Sequence, residues 1–413
     1  MTQSAAKKII IIGGGIGGLT CAKSCLDAGF AVKLYEKRSL DLMLSGPGGI
    51  FVQRNAMKVY ERMGLREALY QRGGRILKGG FFNAQGQPLY INDPQFIQAA
   101  DLGVCLSRGA LQRVLYDALP ADLVHPETEL VHFTLEPDRT ITVRFRNGHQ
   151  DSCDILIGAD GLYSLVRKQL QALSENHLHH SRNHPQNDLE THHQPVYSGM
   201  RCWRGITPVA DLQLNPAYSW GEYWGIGTKF GYFDVGQGMI GFYAFMNASL
   251  TQPKVPITEL KSFLLNLFRN YAPTILQIIQ TLDPASIYED SIFDRPPLGM
   301  PWGNQAVTLI GDAAHPVQPN LGQGGCMAIE DAYELSRYLI NYSSQEVSKA
   351  LRQFEQSRIK RVNKVFTASR QIGQLGQIDT RWGCWLRDKI YQLTPVWLGD
   401  LQFKWLFDYE PST

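Results

Sequence analysis

The fold of this chain is decided by residues 9–18, which read IIIIGGGIGG. The four isoleucines form a continuous apolar run, which predicts a strand buried on both faces of a parallel sheet. A segment of helical pattern follows the glycines and closes at Gly29, and residues 30–36 read as a second strand. Together these segments predict a βαβ unit at the N-terminus.

The glycine cluster satisfies the pattern GxGxxG at Gly13, Gly15 and Gly18. Gly13 permits a tight turn, Gly15 lets a pyrophosphate approach the backbone, and Gly18 lets the helix pack closely on the strand. The helix N-terminus offers unpaired N–H groups to phosphates, and Glu36 is placed to accept hydrogen bonds from ribose hydroxyls. The alternative is a glycine-rich turn beside a surface glutamate. The predicted dinucleotide-binding residues of this unit are Gly13, Gly15, Ile16, Gly17, Gly18, Glu36 and Lys37.

Two later segments repeat the pattern of an apolar strand that ends in a turn with an acid. They are residues 154–161, DILIGADG, and residues 307–312, VTLIGD. Open α/β sheets bind ligands at the carboxyl ends of their strands, so these turns are candidate ligand sites. Residues 203–245 differ, because Tyr, Trp and Phe recur there among glycines in short β-like runs, which predicts an inserted antiparallel sheet.

These segments predict an α/β fold with a discontinuous Rossmann-like nucleotide-binding domain and an inserted, mostly antiparallel β-sheet domain for the substrate. From residue 346 onward the pattern is helical, which adds a C-terminal helical segment. We expect the nucleotide domain to comprise 1–75, 101–180 and 286–345, the substrate domain 76–100 and 181–285, and the helical segment 346–413.

The composition excludes several classes of protein. Of the 413 residues, 44% are apolar and 19% are charged, which fits a globular protein and excludes a disordered, collagen-like or coiled-coil chain. Lys and Arg number 40 against 38 Asp and Glu without a strong cluster, so no nucleic-acid partner is expected. The seven cysteines show no CxxC spacing, which indicates a reducing compartment, and no apolar run is long enough to cross a bilayer. We expect a cytoplasmic protein.

Residues 177–193 hold six of the ten histidines among Asn, Gln, Ser and Pro. A metal site is one interpretation of such a segment. Because the histidines lack helical ligand spacing, we interpret the segment as a solvated loop and predict no metal.

Two neighbouring segments carry a resemblance to a known family. They read GDAAHP at residues 311–316 and PNLGQGGCMAIEDA at residues 319–332. Together with the glycine cluster, they resemble the single-component FAD-dependent monooxygenases, which include the 4-hydroxybenzoate, salicylate and urate hydroxylases and zeaxanthin epoxidase. The resemblance implies FAD as the cofactor and NAD(P)H as the co-substrate. Further family motifs follow in order along nearly the whole chain, at Gly48-Gly49-Ile50, Asn55-Ala56, Ser107-Arg108 and Asp160-Gly161.

The resemblance also implies residue roles. Asp312, at a strand end, would accept hydrogen bonds from the ribitol of FAD, with a helix N-cap as the alternative. Residues 319–325 would lie against the isoalloxazine ring, where N–H groups and the helix dipole stabilise negative charge. Arg108 would contact the linker of FAD, unless it is a surface arginine. Asp160 matches a motif that the family links to both FAD and NAD(P)H. The candidate set also includes Gly49, Val131 and Gly325, and Pro319, Gly322 and Gly324 as flavin-loop residues with no side-chain acid or base.

Two polar residues near these motifs each allow two interpretations. We interpret His315 as a packed structural histidine rather than a general base. Arg54 stands where the family usually has Pro, so the flavin-side wall differs there. Arg54 either meets an anionic substrate or faces solvent.

The substrate pocket and the C-terminal helical segment are less defined by sequence. Aromatic residues of the inserted sheet would line the pocket, but the pattern does not select which ones. In the helical segment, one face is apolar. We favour docking of that face on the body of the protein over peripheral membrane contact or a lid over an apolar substrate. The face comprises Trp382, Trp385, Leu386, Ile390 and Leu393.

The sequence predicts an FAD-dependent NAD(P)H monooxygenase that hydroxylates or epoxidises a small aromatic or isoprenoid-like substrate. By the resemblance, NAD(P)H reduces the flavin, O2 adds to form a flavin hydroperoxide, and its terminal oxygen enters the substrate. Two alternatives stay open. One is a flavin-dependent reductase of an unsaturated isoprenoid, whose consumption of NAD(P)H needs no O2. The other is a non-catalytic flavin-binding redox sensor, which would show no turnover.

Overall fold

The computed structural model of the chain describes residues 7–92, 102–179, 194–209, 212, 218–296, 299, 301–342 and 346–413. The strands of these residues fall into four sheets. The strands are β1 (Lys8–Ile12), β2 (Ala31–Tyr35), β3 (Gly49–Gln53), β4 (Gly74–Arg75), β5 (Gly79–Asn83), β6 (Pro88–Asn92), β7 (Gly103–Ser107), β8 (Val124–His125), β9 (Leu130–Leu135), β10 (Ile141–Phe145), β11 (Gln150–Cys153), β12 (Ile155–Gly158), β13 (Val196–Pro208), β14 (Trp220–Trp224), β15 (Thr228–Gly236), β16 (Met239–Asn247), β17 (Tyr288–Asp294) and β18 (Val307–Leu309).

The five-stranded sheet is parallel and has the strand order β18-β12-β1-β2-β8. In β1, Ile9 pairs with Val32 of β2 on one side and with Ile155 of β12 on the other. The first three residues of the isoleucine run, 9–11, are completely buried, which confirms the predicted strand. Because the strands are parallel, the turns after β1, β12 and β18 meet at one edge of the sheet.

The seven-stranded sheet has the order β17-β13-β16-β15-β14-β5-β6 and is antiparallel except between β14 and β5. This sheet confirms the mostly antiparallel insertion. Its aromatic residues pack with two helices into a second hydrophobic core, which includes Trp203, Phe230 and Phe242. Two smaller sheets have the orders β11-β10-β9 and β3-β7-β4.

The described helices flank the sheets and form the C-terminal segment. Among them, none is both long and apolar enough to cross a bilayer. Of the histidine-rich segment, residues 180–193 lie outside the described part of the chain. The helices are α1 (Ile16–Asp27), α2 (Leu40–Leu44), α3 (Arg54–Arg62), α4 (Arg66–Tyr70), α5 (Arg108–Asp117), α6 (Leu165–His179), α7 (Ile257–Leu267), α8 (Pro273–Thr281), α9 (Gly324–Ile340), α10 (Val347–Gly376), α11 (Arg381–Leu393) and α12 (Val396–Phe407).

Candidate functional site

A cavity of about 1640 Å³ separates the parallel sheet from the seven-stranded sheet. One wall consists of the glycine turn after β1, the turn after β18 and the loop before α9. The other wall consists of aromatic side chains of the seven-stranded sheet. Of the predicted site residues, the following line the cavity: Gly15, Ile16, Gly17, Gly49, Arg108, Asp312, Pro319, Gly322, Gly324 and Gly325.

The glycine turn has the geometry that its sequence predicts. Gly13 has a φ of +109°, and a Cβ atom there would lie 2.4 Å from the carbonyl oxygen of Ala159. A Cβ atom at Gly18 would lie 1.9 Å from the carbonyl oxygen of Gly13. A Cβ atom at Gly15 would meet no atom within 4 Å. Gly13 and Gly18 therefore permit close backbone packing, whereas Gly15 leaves open space toward the cavity.

Glu36 lies behind the glycine turn and is buried. Its Oε2 accepts a hydrogen bond from the N–H of Gly14 at 2.6 Å, and its Oε1 accepts from the backbone and Nε of Arg38, both at 2.9 Å. Burial alone would raise the pKa of Glu36, but the hydrogen bonds from Arg38 and Gly14 lower it. Glu36 thus fixes the glycine turn as an ionised acceptor.

Arg108 and Asp312 both line the cavity, and their opposite charges interact. Withdrawal from water raises the pKa of Asp312, although Arg108, His315 and Arg295 act against this shift. Burial, followed by the like charge of Arg204, lowers the pKa of Arg108. No ion pair or side-chain hydrogen bond to Arg108 is formed within the described residues. This pair therefore offers a carboxylate acceptor and a cationic donor to a molecule in the cavity.

The loop before α9 presents backbone to the cavity. Residues 319–321 form a 3₁₀ turn, Gly322 follows in the left-handed region with a φ of +64°, and α9 begins at Gly324 without a side-chain cap. Gln53 of β3 holds the loop, because its Nε2 donates to the carbonyl oxygen of Leu321 at 2.8 Å. The uncapped N-terminus of α9 and the positive end of its dipole therefore lie at the cavity wall.

A buried ion network supports this loop from behind. Asp331 of α9 accepts hydrogen bonds from the N–H of Gly311 at 2.9 Å and from Arg358 Nε at 2.7 Å. His315 Nε2 lies 2.5 Å from the same carboxylate, which agrees with a structural role for this histidine. Burial would raise the pKa of Asp331, but His315 and Arg358 lower it to about 2. Glu330 pairs with Arg358 as well, at 2.7 Å.

Several predicted site residues do not reach the cavity surface. Asp160 caps α6, because its Oδ2 accepts hydrogen bonds from the N–H groups of Leu165 at 2.7 Å and Val166 at 3.2 Å. Burial raises the pKa of Asp160, and its Oδ1 is buried without a partner in the described part of the chain. Val131 lies on β9 with 41% of its surface exposed, outside the cavity lining. The remaining residues of this group, Gly13, Gly18, Glu36 and Lys37, lie outside the lining as well.

Sequence reasoning missed a polar cluster on the sheet wall. Lys229 of β15 is buried, and its Nζ donates to Asn320 Oδ1 of the loop at 2.7 Å. Its Nζ also lies 3.8 Å from Glu222 Oε1, and Glu222 accepts hydrogen bonds from Tyr243 and Trp224. The available signal was a single lysine within the aromatic run TKFGYF of residues 228–233. A buried charge requires partners, so this lysine marked a contact outside its own strand.

Comparisons with known proteins agree with the fold. A family model described as an FAD binding domain matches residues 6–186 and 298–369. The chain belongs to the family of single-component FAD-dependent monooxygenases, as its motifs predict. Its relatives support an oxidoreductase with FAD as the cofactor.

Two relatives are similar to the chain in sequence along most of its length. The chain is 33% identical over 388 residues to the aurachin C monooxygenase/isomerase of Stigmatella aurantiaca, a match that covers 93% of this chain and 94% of that protein. It is 31% identical over 381 residues to a chloroplastic zeaxanthin epoxidase of an Oncidium hybrid cultivar, covering 88% of this chain and 54% of the epoxidase. The chain thus spans about half the length of that epoxidase.

Solved structures share the fold. Klebsiella pneumoniae HpxO, complexed with FAD and uric acid, superposes with a TM-score of 0.84 at 24% identity, over 97% of this chain and 96% of that chain. A salicylate hydroxylase substrate complex gives a TM-score of 0.76 at 20% identity, over 98% and 96% of the two chains. These likenesses confirm the predicted fold class.

Proposed function

We propose that this chain uses NAD(P)H and O2 to hydroxylate or epoxidise a small aromatic or isoprenoid-like molecule. The observation that carries the proposal is one continuous cavity, which joins the glycine turn and the loop before α9 to an aromatic wall. A cofactor ring on the loop and a substrate on the aromatic wall would then meet without intervening protein. The names of the aurachin C and zeaxanthin relatives support a substrate of this kind.

The residues present fit FAD. The open space beside Gly15 suits a pyrophosphate, and Asp312 is placed to accept hydrogen bonds from a ribitol chain. Arg108 would hold the anionic linker, and the N-terminus of α9 would stabilise negative charge on the ring. The chemistry that bound FAD would supply is uptake of hydride from NAD(P)H and activation of O2. We propose that the predicted cofactor residues that line the cavity contact FAD directly, whereas Asp160, Val131 and Lys37 lie outside that lining.

The aromatic wall favours an apolar substrate. The side chains of Phe81, Trp220, Phe233 and Phe245 line the cavity opposite the loop. Apolar surfaces of this kind exclude water from the reacting atoms and bind rings by stacking. Arg54 also lines the cavity, so an anionic or carbonyl group on the substrate would find a cation there. Hydroxylation and epoxidation both remain within the proposal.

NAD(P)H would bind without a nucleotide domain of its own. Of the two GxGxxG matches in the sequence, residues 13–18 lead from β1 into α1 beside the cavity, whereas residues 236–241 lie in the hairpin between β15 and β16. We therefore propose a transient surface site for the nicotinamide cofactor. We also propose the domain division given above, with β17 (Tyr288–Asp294) moved to the substrate domain because it pairs with β13 of the seven-stranded sheet. We further propose a cytoplasmic location, which the seven buried cysteines without disulfides support.

Anaerobic reduction of the purified holoprotein, followed by admission of isotope-labelled O2, tests the proposal. NADPH and NADH are compared, with and without a panel of phenolic acids, quinolones and isoprenoids. We expect a panel member to accelerate flavin reduction and to gain one labelled oxygen atom. A product formed without O2 would establish the reductase instead. Absence of reduction with every panel member would contradict both enzymes and favour the redox sensor.

Two variants tie this activity to the described site. Asp312→Ala removes the proposed ribitol acceptor, so we expect FAD to dissociate during purification and turnover to be restored only by excess FAD. Asp117→Ala changes an exposed carboxylate on α5 and serves as the matched control. Retention of FAD by the Asp312 variant would contradict the placement of the cofactor.

A further inference from the structure

The C-terminal helices α11 and α12 carry a patch of exposed large apolar side chains, which we call the aromatic patch. Trp382, Trp385 and Leu393 are 70%, 55% and 81% exposed. On α11 the patch residues recur at helical spacing, so they share one face. The aromatic patch comprises Trp382, Trp385, Leu386, Ile390, Leu393, Trp397 and Leu398.

The opposite face of α11 is the one that docks on the protein. Arg387 is buried, donates to the carbonyl oxygen of Leu375 at 3.2 Å and lies over the ring of Trp224 at 5.2 Å. Tyr391 packs edge-on against Trp224 with 5.3 Å between ring centroids. These contacts fix the helix with its arginine inward and its tryptophans outward. The expectation that the apolar face docks on the body is therefore wrong.

The aromatic patch is continuous with the cavity. Ile390 and Trp397 belong to the patch and also line the cavity wall, and Thr394 lies between them in sequence and lines the wall as well. An apolar molecule held at the patch would therefore contact residues that lead into the substrate side of the cavity. A patch of this extent, rimmed by polar residues, marks an interaction site rather than ordinary surface.

The charge around the aromatic patch favours an anionic partner. Among the described residues of α11 and α12, the exposed charged side chains are all basic. Arg381 and Lys389 are exposed on α11, while the carboxylate of Asp388 forms an ion pair with Arg387 at 2.8 Å. Exposed tryptophans combined with basic residues are the composition of helices that lie in the lipid–water interface.

We propose that the aromatic patch docks on an anionic lipid bilayer and that the substrate passes from the bilayer into the cavity. The docking stands on the exposed side chains and their charge, whereas the passage of an apolar substrate rests on the proposed function. The tryptophan rings would lie at headgroup level, with the basic side chains among lipid phosphates. No part of this arrangement requires a membrane-spanning helix.

Sedimentation of the full-length holoprotein with vesicles tests the docking. One vesicle contains phosphatidylcholine alone, and the other also contains phosphatidylglycerol. The triple variant Trp382→Ser, Trp385→Ser, Leu393→Ser removes patch residues that do not line the cavity. Leu250→Ser with Ile257→Ser changes exposed apolar residues elsewhere and is the matched control. We expect the triple variant to lose about tenfold or more of its partitioning into phosphatidylglycerol vesicles, and the control to retain it.

Quenching of tryptophan fluorescence by brominated lipids provides a second readout. It should occur in the native protein and the control but not in the triple variant. Equal vesicle binding by native protein and triple variant, or no binding by either, would overturn the proposal. So would a native dimer in lipid-free solution that the triple variant converts to a monomer, because the patch would then join two copies of this chain.

Turnover with a detergent-dispersed substrate separates this proposal from the proposed function. We expect the triple variant to keep native turnover under these conditions and to lose turnover only when the substrate is embedded in vesicles. Vesicle binding without turnover in detergent would contradict the proposed function alone. Turnover without vesicle binding would contradict the docking alone.

Discussion

On the cofactor side of the cavity, FAD binding depends on glycines, which have no side chain. On the sheet side, substrate binding depends on large aromatic side chains. Gly13 and Gly18 allow backbones to approach more closely than any Cβ atom would permit. Across the cavity, Trp220 and Phe233 supply bulk from strands of the seven-stranded sheet. The cofactor side is therefore constrained residue by residue, while the sheet side tolerates exchange of one aromatic residue for another.

The two sides also differ in how charge is held. Behind the loop before α9, Asp331 and Glu330 are buried with arginine partners. On the sheet wall, Lys229 is the cation that reaches across to the loop. We therefore expect substitutions behind the loop to reduce stability and FAD binding. We expect substitutions on the sheet wall to reduce the fraction of oxidised NAD(P)H that yields oxygenated product.

The largest effect is expected from Gly18→Ala, because its Cβ would lie 1.9 Å from the Gly13 carbonyl oxygen. We expect the free energy of unfolding to fall by more than about 3 kcal/mol and the protein to purify without flavin. Gly15→Ala is the matched control for the fold, since its Cβ meets nothing. It should unfold like the native protein without FAD, but bind FAD about tenfold or more weakly. Native FAD affinity of the Gly15 variant in a fluorescence titration would contradict the approach of a pyrophosphate to this residue.

The second-largest effect is expected from Asp331→Asn, which removes the buried carboxylate that Arg358 and His315 contact. We expect a loss of about 3 kcal/mol in the free energy of unfolding at pH 7, measured with urea. The folded-state pKa of Asp331, about 2, lies below the unfolded value of about 3.9, so its contribution is complete above pH 4 and is lost as the pH falls toward 2. The difference between native protein and variant should shrink over that interval.

Asp27→Asn controls for the loss of a carboxylate as such. Asp27 pairs with Lys23 on the exposed surface of α1, so its substitution should change the free energy of unfolding by less than about 0.5 kcal/mol. Equal stability of the Asp331 variant and this control would show that the buried network does not support the loop.

The sequence predicted the cofactor side far better than the sheet side, for a physical reason. Glycines at Gly13 and Gly18, and a carboxylate at the end of a strand, act within one βαβ unit, so their spacing carries the information. The predicted strand, turn and fold class are confirmed accordingly. Asp160 shows the limit of this reasoning, because a strand-end carboxylate is equally suited to cap the next helix, as the structure has it.

The sheet side depends on pairing between distant segments. Lys229 meets Asn320 only because β15 lies under a loop that follows it by 91 positions. The helical face of α11 was identified correctly as apolar, but its orientation depends on which side packs on Trp224. Periodicity defines a face and does not say whether that face meets protein or solvent.

A smaller effect is expected from Lys229→Met, which removes the link between the sheet wall and the loop. Glu222 keeps its hydrogen bonds from Tyr243 and Trp224 but loses its nearby cation, so we expect a lower free energy of unfolding with unchanged FAD content. Asn320 would lose its donor on the sheet wall, and the loop would lose its fixed distance from the substrate.

We therefore expect the fraction of oxidised NAD(P)H that yields oxygenated product to fall by about three- to tenfold in the Lys229 variant. Product and NAD(P)H consumption are measured together on the substrate found by the reduction assay. Lys360→Met, at an exposed position of α10, is the matched control and should keep native coupling. Loss of FAD by the Lys229 variant would assign this lysine to the cofactor side, and native coupling would show that the two walls act independently.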